Sequence, residues 1–188
     1  KITLKDYVDE TKVNIIVGHS AYHTDKHDNA LAHIQKWVKL NPNIHIYVPV
    51  TYGVDKYRDG LIARWKPIYQ DRITFVNQPM PLADYNYFLS QMDFAFLLGD
   101  RSYALGNIQI LLNSDVLLVL SKKGVIHKAL KKLKIKHFVL TKKFFKSIPN
   151  PISNNNLSQT DLKIFNKSEC INQMKDVFNF IERGNYEN

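Results

Sequence analysis

The stretch VNIIVGHSAYHTDKHDN, Val13 to Asn29, decides how the rest of the chain is read. Apolar β-formers break at Gly18, and a polar loop then runs into the amphipathic stretch Lys26 to Leu40, which together spell strand, loop, helix. In an open α/β sheet such a loop lies at the carboxyl end of a strand, where ligands bind. Amides at the start of the following helix favour an anion, and Gly18 lets a ligand approach the backbone closely. Phosphate is the natural candidate. The loop is neither G-x-G-x-x-G nor a P-loop, so no nucleotide motif assigns it.

Outward from that stretch, strands and helices alternate. The sequence predicts strands at Ile44 to Val50, Ile73 to Val76, Asp93 to Leu98, Asp115 to Leu120 and His137 to Leu140. Between them fall helices over Asp55 to Tyr69, Leu82 to Gln91 and Asn107 to Leu112, with a loop from Gly99 to Gly106 before the last of these. Asn41-Pro42 ends the first helix. Continuous apolar strands separated by helices imply an α/β fold, a parallel Rossmann-like sheet of about six strands covered on both faces. Residues 1–12 read as a linker or lead-in, 13–148 as the Rossmann-like domain, and 149–188 as a loop and a C-terminal helix. That helix carries a capping-box spacing at Asn166 and Glu169, and packs either on this sheet or on another part of a larger molecule.

A chain of 188 residues with 45% hydrophobic content fits one large domain. The single cysteine, Cys170, forms no intramolecular disulfide and reads as a small buried side chain. No apolar run approaches the roughly 20 residues that span a bilayer, and KITLKDY is no signal peptide, so a cytoplasmic or peripheral location is expected. The chain does not start with Met, as a piece of a longer protein would not.

The net charge of +9 is concentrated in one segment. Between Asp115 and Asp161 there is no acidic residue but ten lysines, and without them 16 basic residues face 17 acidic ones. Val125, Ile126, Ala129, Leu130 and Leu133 form an apolar stripe on a helix otherwise rich in lysine. Such a helix suits an anionic membrane surface, with contact through Lys122 to Lys146, or else packs on the core with its lysines merely solvated. Nucleic acid is disfavoured, because the segment lacks arginine and interleaved aromatics and no nucleic-acid-binding signature is present.

Three runs, VGHSAYHTDKH, HIYVPVTYG and YFLSQMDFAFLLGDRSYALGNIQILLNSDVLLVL, resemble the nucleotide-binding half of the bacterial 4-acetamido-4,6-dideoxygalactosyltransferases. These are also known as 4-alpha-L-fucosyltransferases of enterobacterial common antigen synthesis. Gly18, Ser20, Thr24 and His27 fit the family's first loop, with His19 in place of its Asn. Pro49 and Tyr52 match the turn after the second strand, and Asp93 a strand start. Gly106 fits one glycine of a more glycine-rich loop from which Tyr103 and Leu105 depart. The similarity covers roughly Val13 to Leu140. It implies the C-terminal, donor-binding half of a GT-B glycosyltransferase, whose active site lies between two Rossmann-like halves. The implied donor is a dTDP-sugar, the acceptor a polyprenyl-diphosphate-linked glycan, and the location the inner face of the bacterial inner membrane.

The chemistry sets its own demand: the diphosphate leaving group must be stabilised by a metal or by fixed donors and cations. The chain contains no Asp-x-Asp, so no metal cofactor is expected. The candidate donor-binding residues are Gly18, His19, Ser20, His27, Tyr52, Arg101, Gly106 and Asn107. Each also has a plainer reading: Gly18 and Gly106 as turn glycines, Ser20 as a loop cap, His27 as a helix start, Arg101 as a surface charge, Tyr52 as core. A catalytic base would sit on the other half. His19, His23 and His27 have the four-residue spacing of zinc ligands on a helix, but the glycine turn argues against a helix there and no fourth ligand is evident. The competing class is a noncatalytic α/β module that binds a phosphorylated ligand or an anionic membrane.

Overall fold

A computed structural model describes residues 8–101, 103–141 and 144, all within a unit spanning Lys1–Leu157. The proposed C-terminal helix, with Cys170, lies outside the described residues. Six parallel strands run β1 (Val13–Val17), β2 (Ile44–Pro49), β3 (Ile73–Val76), β4 (Phe94–Leu97), β5 (Leu117–Leu120) and β6 (Phe138–Val139), in the spatial order β3-β2-β1-β4-β5-β6. Five helices connect them: α1 (His27–Leu40), α2 (Asp55–Tyr69), α3 (Leu82–Ser90), α4 (Leu105–Asn113) and α5 (Val125–Lys132). The expected α/β class and parallel six-stranded sheet are therefore present.

The order reverses between β1 and β4. From β1 the chain winds outward through β2 and β3, then crosses back through α3 to lay β4 on the other side of β1. Right-handed crossovers put α1 and α2 on one face, where they touch each other, and α3 and α4 on the opposite face. Both faces are buried, which is why the strands are continuously apolar: Ile15, Ile16 and Val17 in β1 and Phe94, Ala95 and Phe96 in β4 are all shielded from water. On the α1/α2 face Ile15, Val17, Ile44 and Ile46 pack against Leu31, Ile34, Leu61 and Trp65. On the other face Tyr47 of β2 meets Phe88 of α3 edge-on with ring centroids 5.4 Å apart.

Polar side chains fix how α1 meets α2. Asp28 takes a bidentate pair from Arg64 at 3.0 and 3.2 Å and the indole N–H of Trp65 at 2.7 Å. At the other rim of the sheet Asp93 ties β4 to β1, since its carboxylate accepts from the amide of Asn14 at 2.7 Å while its own amide donates to the Asn14 carbonyl.

Two expectations need correction. Helix α4 starts at Leu105, two residues earlier than predicted, because Ala104 adopts a left-handed conformation (φ 52°) and turns the chain there. Gly106 is thus the second residue of a helix and not a turn glycine. The apolar stripe of α5 also divides: Ile126 and Leu130 are buried, whereas Val125, Ala129 and Leu133 are exposed among the lysines. The core-packed reading of that helix therefore holds for its inner half, Ile126 and Leu130.

Candidate functional site

The first strand-exit turn is shaped by packing beneath it. Gly18 has φ +69°, and a Cβ there would lie 2.2 Å from His27 Nε2, so the imidazole of His27 occupies the space that any larger residue would need. His27, the first residue of α1, is completely buried and its Nδ1 lies 3.1 Å from the Tyr57 hydroxyl on α2. Burial pushes its pKa down to about 4 against the opposing pull of Asp25, so the ring is neutral near pH 7.

The turn closes on an internal anion. Asp25, 2% exposed, accepts the amides of His19 and Ser20 and the Ser20 hydroxyl, each at 3.0 Å and all on Oδ2. His19 Nδ1 lies 2.9 Å from the same oxygen, at ion-pair distance but outside the alignment of a good hydrogen bond. Burial alone would raise the Asp25 pKa, but His19, through its side chain and amide, and His27 outweigh it and hold the carboxyl below its ordinary value. The amides just after Gly18 are therefore engaged by the chain's own carboxylate. They are not the open anion cradle that the sequence suggested.

The second strand-exit turn lies beside the first, because β4 is the parallel neighbour of β1; the Gly18 amide donates to the Phe96 carbonyl at 3.0 Å. Tyr103 returns over this turn. Its hydroxyl accepts the Gly99 amide at 2.6 Å, and its ring stacks on His19 with centroids 4.8 Å apart. A Cβ on Gly99 would meet that ring at 2.3 Å, which accounts for the glycine without any unusual backbone angle. Across the rim Lys26 Nζ reaches Asp100 Oδ2 at 2.5 Å, Ser121 Oγ donates to Asp100 Oδ1, and the Val125 amide donates to the Asp100 carbonyl. Three successive strand exits, after β1, β4 and β5, are thereby joined.

The sequence-predicted residues separate into two groups. His19, Tyr52, Arg101, Gly106 and Asn107 lie along the carboxyl rim: Tyr52 is 54% exposed with its ring edge toward His19 at 6.0 Å, and Arg101 is exposed. Gly106 has nothing within 4 Å of a would-be Cβ and sits in the first turn of α4, which no side chain among the described residues caps. Asn107 is directed elsewhere, its amide donating to the Tyr85 hydroxyl at 2.9 Å. Gly18, Ser20 and His27 lie below, and all three are buried. His23 sits in a short 3-10 turn, His23–Asp25, exposed and apart from buried His27, so the three histidines do not share a helix face. Among the described residues no group of three or more His, Cys, Asp or Glu is placed to hold a metal ion.

Asp25, Lys26, Asp100 and Tyr57 escaped the sequence reading. A polar loop residue with no apolar periodicity reads as solvated, and Asp25 turns back onto its own strand exit, five residues after Ser20, only once the turn has closed.

The rim agrees with known folds. The structure resembles the C-terminal domain of a group 1 family glycosyl transferase from Francisella tularensis, with a TM-score of 0.55 and 11% identity, covering 68% of this chain and 66% of that one. It also resembles a UDP-forming trehalose-phosphate synthase from Burkholderia xenovorans (TM-score 0.55, 10% identity, 70% of this chain and 33% of that). A third is the pneumococcal O-GlcNAc transferase GtfA in complex with UDP and GlcNAc (0.51, 12%, 69% and 24%). At such identities the likeness establishes the fold, that of a GT-B glycosyltransferase C-terminal domain, and the chain spans less than two thirds of each neighbour. Residues 1–168 match a family described as 4-alpha-L-fucosyltransferase, glycosyl transferase group 56. With the sheet, the switch point and this match in agreement, the chain belongs to the glycosyl transferase group 56 family of 4-alpha-L-fucosyltransferases.

Proposed function

We propose that this chain is the donor-binding half of a glycosyltransferase that moves 4-acetamido-4,6-dideoxygalactose from its dTDP carrier to a polyprenyl-diphosphate-linked glycan. The observation that carries the reading is the juxtaposition of two strand exits at the β1/β4 switch point, where the ring of Tyr103, two residues before the first turn of α4, stacks on His19. Helix amides and an imidazole are fixed donors that can take the charge of a departing nucleoside diphosphate. Tyr52 offers an exposed ring for a base or sugar face, and Arg101 a cation at the mouth. With these groups the site works without a metal. Ser20 and His27 serve from beneath by holding the turn.

Calorimetric titration of the full-length protein with dTDP and a dTDP-sugar tests this. Saturable binding that survives EDTA and weakens in His19→Gln supports the transferase. Absence of binding to any nucleoside diphosphate would leave a noncatalytic α/β module.

Exposed Val125, Ala129 and Leu133 alongside Lys128, Lys131 and Lys132 favour a further contact, with an anionic membrane surface at the cytoplasmic face where a polyprenyl-linked acceptor would lie. No helix among the described residues is long and apolar enough to cross a membrane, so contact would be peripheral for this part of the chain. Cosedimentation with phosphatidylglycerol vesicles that fades with salt is the expected result.

A further inference from the structure

We propose that Asp25 is a positioning residue for the donor site: its buried carboxylate fixes the His19 imidazole with Nδ1 turned inward, so that the ring presents its opposite nitrogen to the diphosphate. The role rests on the donor-site reading above and assigns a residue that the reading does not contain.

A carboxylate oxygen and a bare imidazole nitrogen at 2.9 Å would set two lone pairs against each other, so a proton must lie on His19 Nδ1. The His19 amide, bonded to the same Oδ2, anchors the backbone from which that ring projects. Tyr103 stacks on one face of the ring, and Tyr52 stands edge-on at 73°. A ring flip would turn a carbon toward the carboxylate and forfeit the contact. Beneath Asp25, His27 Nε2 lies 3.9 Å from Oδ2 and its other nitrogen meets Tyr57, which walls off the carboxylate from water on that side. The result is a layered arrangement, Tyr57, His27, Asp25, His19, whose outermost member alone faces the rim. A second consequence concerns charge. A diphosphate arriving over a buried carboxylate would be repelled, and the imidazole interposed between them is the group that screens one from the other.

The alternative is that Asp25 only folds the turn. A double-mutant cycle on the full-length protein separates the two, with dTDP affinity as the readout. His19→Gln and Asp25→Asn are each expected to weaken binding about tenfold, that is by about 1.4 kcal/mol, and the double variant no further than either alone. Losses that multiply in the double variant would overturn the role while leaving the donor site intact. Failure of the wild type to bind dTDP would overturn the donor site and this role with it. Should Asp25→Asn fail to fold, the imidazole 15N spectrum of the wild type decides: a protonated Nδ1 on His19 is expected, and a bare Nδ1 would refute the assignment.

Discussion

At the scale of single residues, two glycines that look alike in the sequence have opposite reasons for being glycine. Gly18 combines a left-handed φ with an imidazole where its Cβ would go, so Gly18→Ala should cost about 2 to 4 kcal/mol of stability in urea denaturation. Gly106 lies in a helix with open space around it, and Gly106→Ala should be neutral or stabilise by up to about 1 kcal/mol. Any loss of dTDP affinity in Gly106→Ala would then report on the ligand and not on the fold. A buried histidine also writes a pH dependence into stability. His27, and half-buried His45 on β2, are both pushed down to about 4 by burial, His45 further by Lys12 and Lys66. An unfolded chain takes up protons at both sites as pH falls below about 6.5, whereas the folded one resists until about 4. Stability is therefore full above pH 6.5 and lost as the pH falls between those values. The His27 share is on the order of 3 kcal/mol by pH 4, and denaturant midpoints measured from pH 7 to pH 4 should decline accordingly. Of this, the sequence revealed the residues but not their depth: Gly18, Ser20 and His27 were singled out, yet whether a loop side chain points to a ligand or into the core depends on what packs beneath it. Asp25 stayed hidden for the same reason, as its burial exists only once the turn has closed.

Among the elements, boundaries were legible wherever apolar periodicity or proline marked them. β1, β3 and α2 have the expected limits because Gly18, the Ile73 to Val76 run and the Asp55 start are all explicit in the side chains. The start of α4 was misplaced because the chain turns at Ala104 through a left-handed residue that is neither Gly nor Asn, a choice made by tertiary contacts and not by local preference. In α5 the spacing was right but the stripe was too wide to be a single surface. Two different assays should separate its halves. Ile126→Ala removes a buried side chain and should cost about 2 to 4 kcal/mol of stability. Leu133→Ser, at a site 39% exposed, should change stability by no more than about 0.5 kcal/mol and should weaken vesicle binding. If Leu133→Ser binds anionic vesicles as well as the wild type does, the outer half of the stripe has no membrane role.

For the molecule as a whole, six of the nine exposed large apolar side chains among the described residues follow the sheet, the exceptions being Leu40, Ile68 and Leu133 at helix ends. Tyr22, Tyr52, Val54, Leu82, Leu105 and Val125 each lie on a connection leaving the carboxyl end of a strand or at the first residue of the helix that follows. A parallel sheet gathers all of these at one rim, so side chains scattered through the sequence share the rim of the proposed donor site without any sequence pattern announcing it. Apolar groups around a polar site are what a cleft needs to exclude water when a second half closes over it, as the proposed transferase requires. Leu82, 75% exposed at the start of α3, tests that idea with little risk to the fold. An aspartate there would complement the helix N-terminus, so Leu82→Asp should melt no earlier than the wild type. In combination with Val54→Asp, in the full-length protein, it should leave dTDP affinity unchanged and reduce sugar transfer at least tenfold, since two carboxylates would then face the closing half. Transfer at the wild-type rate in that double variant would mean that nothing closes on this part of the rim, and the acceptor would have to approach the donor from another side.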